Sequence, residues 1–404
     1  MIVSRALALL IFFATYGVVA LGRVPFFRID RAGAAFLGAA LMLASGVVSR
    51  EAAYRAIDLD TIALLLGMMI VVASLRLAGG FRLIAGWVVL RARHPLLLLS
   101  AVVLVSGVLS AFMVNDTICL VMTPLVLDVV RRLGRRAKPY LIAIATASNI
   151  GSVATITGNP QNMIVGSLSH IPYRAFAGAL APVAASGLAL TIVLIACIWR
   201  REFFVRVTLA AEPERTVIFM PLVKVTLIVV LALIIALFAG APPSEAAVVA
   251  GGILLLLGRL KPGRFYGEID WPLLLMFAGL FIVVAGVQAA FFGPRIVAVA
   301  QTWHLDRTAP LAIIVAILSN VVSNVPAILL LRPFIDPLPG ADHAWLVAAM
   351  ASTLAGNFTI LGSVANLIVV QRAAAEGVRI GFWDYFVIGA PLTLLTLLIG
   401  IWWL

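Results

Sequence analysis

Two stretches of this chain set amides, hydroxyls and glycines inside otherwise apolar sequence. Residues 147–166 read ASNIGSVATITGNPQNMIVG, and residues 351–370 read ASTLAGNFTILGSVANLIVV. At an offset of 204, eight of twenty positions are identical, including Ser148/Ser352, Thr155/Thr359, Gly158/Gly362 and Asn162/Asn366. Two further polar clusters precede them. One is Asn115-Asp116-Thr117; the other comprises Ser319-Asn320 and Ser323-Asn324, ending at Pro326. At an offset of 209, Ser110/Ser319, Asn115/Asn324, Leu120/Leu329 and Pro124/Pro333 match. Glycine lets a helix unwind. Freed carbonyls, with Asn and Ser/Thr oxygens, are hard ligands suited to Na⁺, and half-helix N-termini favour an anion. Such a site can hold a cation, an anion, or exchange one for the other. Small polar residues also simply pack helices together. Repetition of the whole set in register favours a site, because an unpaired amide in hydrocarbon costs several kcal/mol.

Asp116 is the acidic side chain deepest in apolar sequence; Asp128 lies nearer a basic loop, beside Arg131. A carboxylate within a span needs a proton or a cation partner. Desolvation favours the protonated form of a carboxyl group, which makes Asp116 the candidate for proton coupling. It could instead cap a hairpin helix.

These residues must be held by membrane-crossing elements. The chain has 404 residues, of which 63% are hydrophobic and 11% charged. A soluble domain could not hide that much apolar surface. Apolar runs near the ~20 residues needed to cross as a helix recur, and barrel-strand alternation is absent. The expected class is an all-α polytopic membrane protein. Residues 1–21 are long enough to span, with no clear cleavage site after them, so a first span is expected rather than a removed signal.

Apolar segments fall six per half, which implies duplication. The N-terminal repeat covers 1–199, with a scaffold at 1–94, a hairpin at 95–130, a broken helix at 139–169 and a span at 173–199. A charged cytoplasmic linker covers 200–215. The C-terminal repeat covers 216–404, with a hairpin at 308–335 and a broken helix at 344–371. Stretches 80–93 and 293–305 read as interfacial helices and offer a surface for a homodimer. The hairpin segments carry polar residues at mid-length and read as re-entrant, since irregular backbone at membrane depth survives only where protein or water satisfies it. RRLGRRAK follows the first hairpin and the uncharged-to-acidic IDPLPGADH the second, so equivalent points lie on opposite sides. Basic loops 22–31, 91–94, 131–138, 200–206, 259–264 and 372–379 are then cytoplasmic, and 49–60, 240–245 and 333–343 outside. Two inverted repeats, about ten transmembrane helices, two re-entrant hairpins and two broken helices satisfy every loop.

The net charge of +12 sits in short loops between spans, which fits positive-inside topology and speaks against nucleic acid. Cys119 and Cys197 lie in apolar stretches as packing residues, and His94, His170, His304 and His343 fall at expected loops. No metal spacing, cofactor motif or catalytic dyad is present, so an enzyme is not expected. Arg332 is read as snorkelling to the outer interface.

SNIGSVATITGNPQNMIVG resembles the broken-helix signature of the ion transporter superfamily, which includes arsenite permeases, NhaD-type sodium/proton antiporters and dicarboxylate/sodium symporters. VNDTICLVMTPLV and SNVVSNVPAILL resemble the two hairpins of arsenite permeases, and IDLDTIALLLGMMIVV the preceding span. The resemblance implies alternating access of a transport unit against a scaffold. It implies that Asn115 and Asn324 line the site from hairpin tips. Asn149, Gly151, Thr155, Gly158 and Asn162 would line it from the first broken helix, and Asn357, Thr359, Gly362 and Asn366 from the second. Asp116, Thr117, Ser148 and Ser323 join them from the polar clusters, and Asn115, Asn149 and Asn162 form the candidate Na⁺ site. Dicarboxylate symporters carry Ser-Asn-Thr at both tips; here the tips read Asn-Asp-Thr and Ser-Asn-Val, and a fixed anion repels a dicarboxylate. The expected function is secondary transport of an inorganic oxyanion or arsenite-like solute, coupled to protons through Asp116. A sodium/proton antiporter is the alternative, and a sodium-coupled dicarboxylate symporter ranks third. The expected location is the cell membrane, as a bacterial inner-membrane protein.

Overall fold

The computed structural model describes residues 2–21, 29–91, 93–205, 209, 218–258, 261–291 and 302–404. Most of the expected linker at 200–215 and residues 293–301 of the second interfacial stretch lie outside the described residues. The described chain is all helical. In order the helices are α1 (Ile2–Leu21), α2 (Arg31–Ala44), α3 (Arg50–Ala56), α4 (Leu59–Leu77) and α5 (Gly80–Arg91). Then follow α6 (Pro95–Phe112), α7 (Asn115–Arg132), α8 (Ala137–Ser152), α9 (Pro160–Ser169), α10 (Tyr173–Ile198) and α11 (Arg200–Phe203). The second half holds α12 (Met220–Phe238), α13 (Pro243–Leu257), α14 (Pro262–Tyr266), α15 (Trp271–Phe291), α16 (Thr308–Val322) and α17 (Asn324–Ile335). It ends with α18 (Ala341–Ala355), α19 (Val364–Ala375) and α20 (Phe382–Trp403).

Six of these, α4, α6, α10, α12, α15 and α20, are long and apolar enough to cross a bilayer. Large side chains such as Ile228, Leu256, Leu398 and Trp402 point outward and are exposed. Water would not tolerate that much continuous apolar surface, whereas acyl chains do. The protein is a polytopic membrane protein.

Helix starts follow local chemistry. Asp30 accepts from Gly33 N at 2.8 Å to open α2, and Asp58 caps α4 through Thr61 N. His94 accepts from Leu96 N, and Pro95 begins α6. The two halves interlock instead of standing side by side. α4 packs on α13, and its counterpart α15 packs on α2; α6 packs on α8, and its counterpart α16 packs on α18.

Some single-residue expectations need correction. Asp128, beside Arg131 in the sequence, pairs with Arg132 one helical turn on at 2.9 Å, and Arg131 reaches Glu376. The i,i+4 spacing presents Asp128 to Arg132 on one face. Cys119 is buried as expected, but Cys197 is exposed on α10. His343 falls in the first turn of α18, not in a loop, and bonds Thr308. Arg332 holds Asp336 at 3.2 Å.

Candidate functional site

Four interruptions of helix meet at the centre of the fold. Two are hairpin tips, at Met113–Val114 between α6 and α7 and at Ser323 between α16 and α17. Two are breaks, at 153–159 between α8 and α9 and at 356–363 between α18 and α19. The breaks repeat each other closely. Thr155 (φ −142°, ψ 164°) and Thr359 (φ −136°, ψ 168°) are extended, a turn of 3₁₀-helix follows (Ile156–Gly158, Ile360–Gly362), and Asn159 and Ser363 return to extended geometry.

The sequence dictates this form locally. A Cβ at Gly158 would run into the Ser152 carbonyl oxygen, and one at Gly362 would lie 2.8 Å from the Gly356 carbonyl oxygen. Only glycine lets the chain fold back that tightly on the preceding helix end. The freed carbonyls then need donors. Asn162 Nδ2 donates to the Ser152 and Thr155 carbonyls at 3.0 and 2.9 Å; Asn366 Nδ2 donates to those of Gly356 and Thr359 at 2.8 and 3.1 Å. Each asparagine therefore braces its own break.

A second set of bonds crosses between the halves. Asn149 Nδ2 donates to Asn357 Oδ1 at 2.8 Å and Asn366 Oδ1 at 3.0 Å, while Asn149 Oδ1 accepts from Asn115 Nδ2 and Ser363 Oγ. The residue matching Asn149 at the repeat offset is Thr353. Its hydroxyl accepts from Asn159 and Gln161 at 3.2 and 3.1 Å and donates to Asn162 Oδ1. Ser363 and Asn366 match Asn159 and Asn162, so exchanging the halves maps one brace onto the other. The first hairpin is tied in by Thr155, whose hydroxyl donates to the Ala111 carbonyl. In the second, Ser319 Oγ lies 2.6 Å from Asn324 Oδ1 and 3.1 Å from the Ser352 carbonyl.

Beside this network lies a cavity of about 240 Å³. Its polar wall holds the N-terminal ends of α7, α9, α17 and α19, through Asn115, Asp116, Pro160, Gln161, Ser323, Asn324, Gly362, Ser363 and Val364. Each helix N-terminus carries roughly half an elementary positive charge, so this wall favours oxygen-rich solutes. The rest of the lining includes residues of other helices: Tyr16 of α1, Arg31 of α2, and Leu273, Met276, Phe277 and Leu280 of α15. Arg31 and Asp270 are the charges whose fields reach Asp116.

Of the residues expected from sequence, Asn115, Asp116, Ser323, Asn324 and Gly362 line the cavity. Asn149, Asn162, Asn357 and Asn366 form the buried layer behind it, each no more than 1% exposed. Thr155 and Gly158 lie in the first break, and Gly151, in the last turn of α8, closes on the Gly107 backbone. Ser148 faces Cys119 Sγ at 2.9 Å, Thr359 supports the second break, and Thr117 is half-buried on α7 away from the cavity. Sequence reasoning missed Tyr16 and Arg31. Arg31 was counted as a loop cation; nothing in its neighbourhood distinguishes it from the other basic loop residues.

A family profile described as citrate transporter (CitMHS) matches residues 8–355. The 46 kDa membrane protein of Mycobacterium leprae is 31% identical over 98% of each chain. The silicon efflux transporter LSI3 of Oryza sativa subsp. japonica is 28% identical over 94% of this chain and 93% of its own. Among solved structures, the YdaH transporter of Alcanivorax borkumensis superposes with a TM-score of 0.60 at 15% identity, covering 99% of this chain and 96% of that one, a likeness of fold.

Proposed function

The chain belongs to the CitMHS, or citrate transporter, family of the ion transporter superfamily, and from that membership we propose that this secondary transporter moves a small inorganic oxyacid by alternating access, coupled to protons through Asp116. It is a transporter and not an enzyme. The observation that carries the reading is the cavity, where four helix N-termini and a ring of amides and hydroxyls share the lining with residues of separate helices. A solute held there touches both bodies that alternating access moves past each other. Asp116 is the one carboxyl group, and Arg31 the one cation, among the described lining residues. A citrate trianion would meet a single guanidinium and a fixed carboxylate. An arsenite-like or silicic-acid-like solute meets hydrogen-bonding groups suited to its hydroxyls. The silicon efflux transporter named above is in keeping with this class.

The topology is part of the proposal: two inverted repeats, with the hairpins entering from opposite faces and the breaks at membrane depth. Polar contacts support it. Arg76–Glu268, Arg131–Glu376, Arg135–Glu202 and Lys138–Asp384 join helix ends read as cytoplasmic. Ser167–Asp58, Ser244–Asp60 and Thr308–His343 join ends read as external. Tyr16, Arg31 and Leu273 sit at the cytoplasmic ends of their helices in this scheme, so the cavity opens inward.

A sodium/proton antiporter is the second reading. It is favoured by Asn115 Oδ1 and Ser110 Oγ, two buried oxygens without a hydrogen-bond partner. Everted vesicles separate the two: proton movement driven by arsenite supports the oxyacid, and movement driven by sodium supports the antiporter. Asp116→Asn is expected to abolish the pH dependence of flux. If flux keeps its full pH dependence, the coupling assignment fails.

A further inference from the structure

The polar side chains that line the cavity describe the solute more closely than the family does. Tyr16 is 5% exposed, lines the cavity, and its hydroxyl has no hydrogen-bond partner. Arg31 is half-buried in the same lining and makes no hydrogen bond or ion pair among the described residues. On α7, Asp116 carries no hydrogen bond among the described residues, and Asn115 Oδ1 is buried without a donor. Buried polar groups in folded proteins are almost always paired. Tyr16 and Asn115 each keep an unpaired buried atom beside the cavity, and Arg31 and Asp116 each set an unpaired, half-buried charge in its lining, so a solute bound there has these groups to pair.

The two pairs ask for opposite things. A tyrosine hydroxyl can donate, and a guanidinium only donates. An ionised carboxylate and an amide carbonyl only accept. A solute satisfying both offers acceptor oxygen to α1 and α2 and an O–H group to α7. We propose that Tyr16 and Arg31 are solute-binding residues supplied by the scaffold, and that with Asp116 and Asn115 they select an oxyacid that keeps at least one O–H group over a fully deprotonated oxyanion. This rests on reading the cavity as the transport site. It also supplies a coupling device: a proton arriving on Asp116 cancels its charge and sets an O–H donor against the solute hydroxyl, so proton and solute compete for one carboxylate. That competition yields exchange of one for the other.

The test uses the full chain purified in detergent, with four probes: arsenous acid, dihydrogen phosphate, sulfate and citrate. Equilibrium dialysis measures binding. Arsenous acid or dihydrogen phosphate is expected to bind at least about 10-fold more tightly than sulfate, because sulfate has no proton for the carboxylate to accept. Asp116→Asn, whose amide can donate, is expected to narrow the gap between phosphate and sulfate by about 10-fold. Tyr16→Phe should weaken the bound oxyacids about 3- to 10-fold, and Arg31→Gln should weaken phosphate about 10-fold more than arsenous acid. Preference for sulfate or citrate in the wild type overturns the selection rule and leaves the transport site standing. So does unchanged selectivity in Asp116→Asn and Arg31→Gln variants that elute and unfold like wild type. If those variants misfold, the wild-type order of the four probes decides alone. Binding of none of them overturns the transport-site reading and the inference with it.

Discussion

Through the first break, from Gly151 to Asn162, every residue is buried; through the second, Phe358, Thr359 and Val364 are half-exposed and Leu361 is 72% exposed. The backbones are near copies, and so are the asparagine braces. The surroundings differ. The first break is closed in by α6 through Gly107 and Ala111, by Tyr173 against Thr157 at 2.8 Å, and by Thr353 from the other half. The second stands at the cavity with Leu361, Gly362, Ser363 and Val364 in its wall. The hairpin tips diverge in the opposite sense. The first carries the charge, Asp116, on relaxed backbone. The second carries no charge at the matching Val325, but Ser323 sits at φ 76°, ψ 160°, a region essentially reserved for glycine. One motif thus occurs twice, and packing gives each copy different surroundings. The first break is the more enclosed support, reaching the cavity only through Pro160 and Gln161, while both tips and the second break supply most of the polar lining.

The sharpest way to break this comparison is to cut the two cross-braces separately. Asn149→Ala strands Asn115, Asn357, Ser363 and Asn366 partners in a buried layer. An expected loss of about 4 kcal/mol follows from ~1–3 kcal/mol per stranded group, taken as less than additive. Thr353→Val removes one hydroxyl, and Asn159 keeps its Ser152 partners, so about 1–2 kcal/mol is expected. Reversible unfolding in micelles measures both. Equal losses would mean that the braces are equivalent in strength as well as in pattern.

The tight turns give the next contrast. Gly158→Ala sets a methyl against fixed backbone at Ser152, with a further contact at 2.7 Å to its Cα, and is expected to cost about 3 kcal/mol. Gly362→Ala meets Gly356 at 2.8 Å and the movable Asn320 side chain at 3.2 Å, beside open space, and is expected to cost about 1 kcal/mol. A larger loss at Gly362 would contradict the sealed and open assignments.

The smallest effect has opposite signs at the two tips. Ser323→Gly relieves a strained backbone and is expected to raise stability by about 1 kcal/mol. Val114→Gly, at φ −55°, relieves nothing and is expected to lower it by about 1 kcal/mol. Thermal unfolding of the two variants side by side checks the sign.

The sequence alone determined the helical, membrane-crossing class, the repeat offset, and the places where helices stop. Those features are local: an apolar run fixes a span, and glycine with asparagine inside it fixes a break wherever the run happens to pack. Even the bracing of Ser152 by Asn162 and of Gly356 by Asn366 lies within one short stretch. Tertiary structure alone decided who faces the cavity. Asn149 and Asn115 look alike in sequence, yet one is consumed in tying the halves together and the other keeps a free carbonyl at the tip. Arg31 reads as one more loop cation until the fold brings it to the same cavity as Asp116. The physical reason is that a helix satisfies its own backbone from nearby residues, whereas a polar side chain in a dry interior takes its partner from whatever element is packed beside it, hundreds of residues away along the chain.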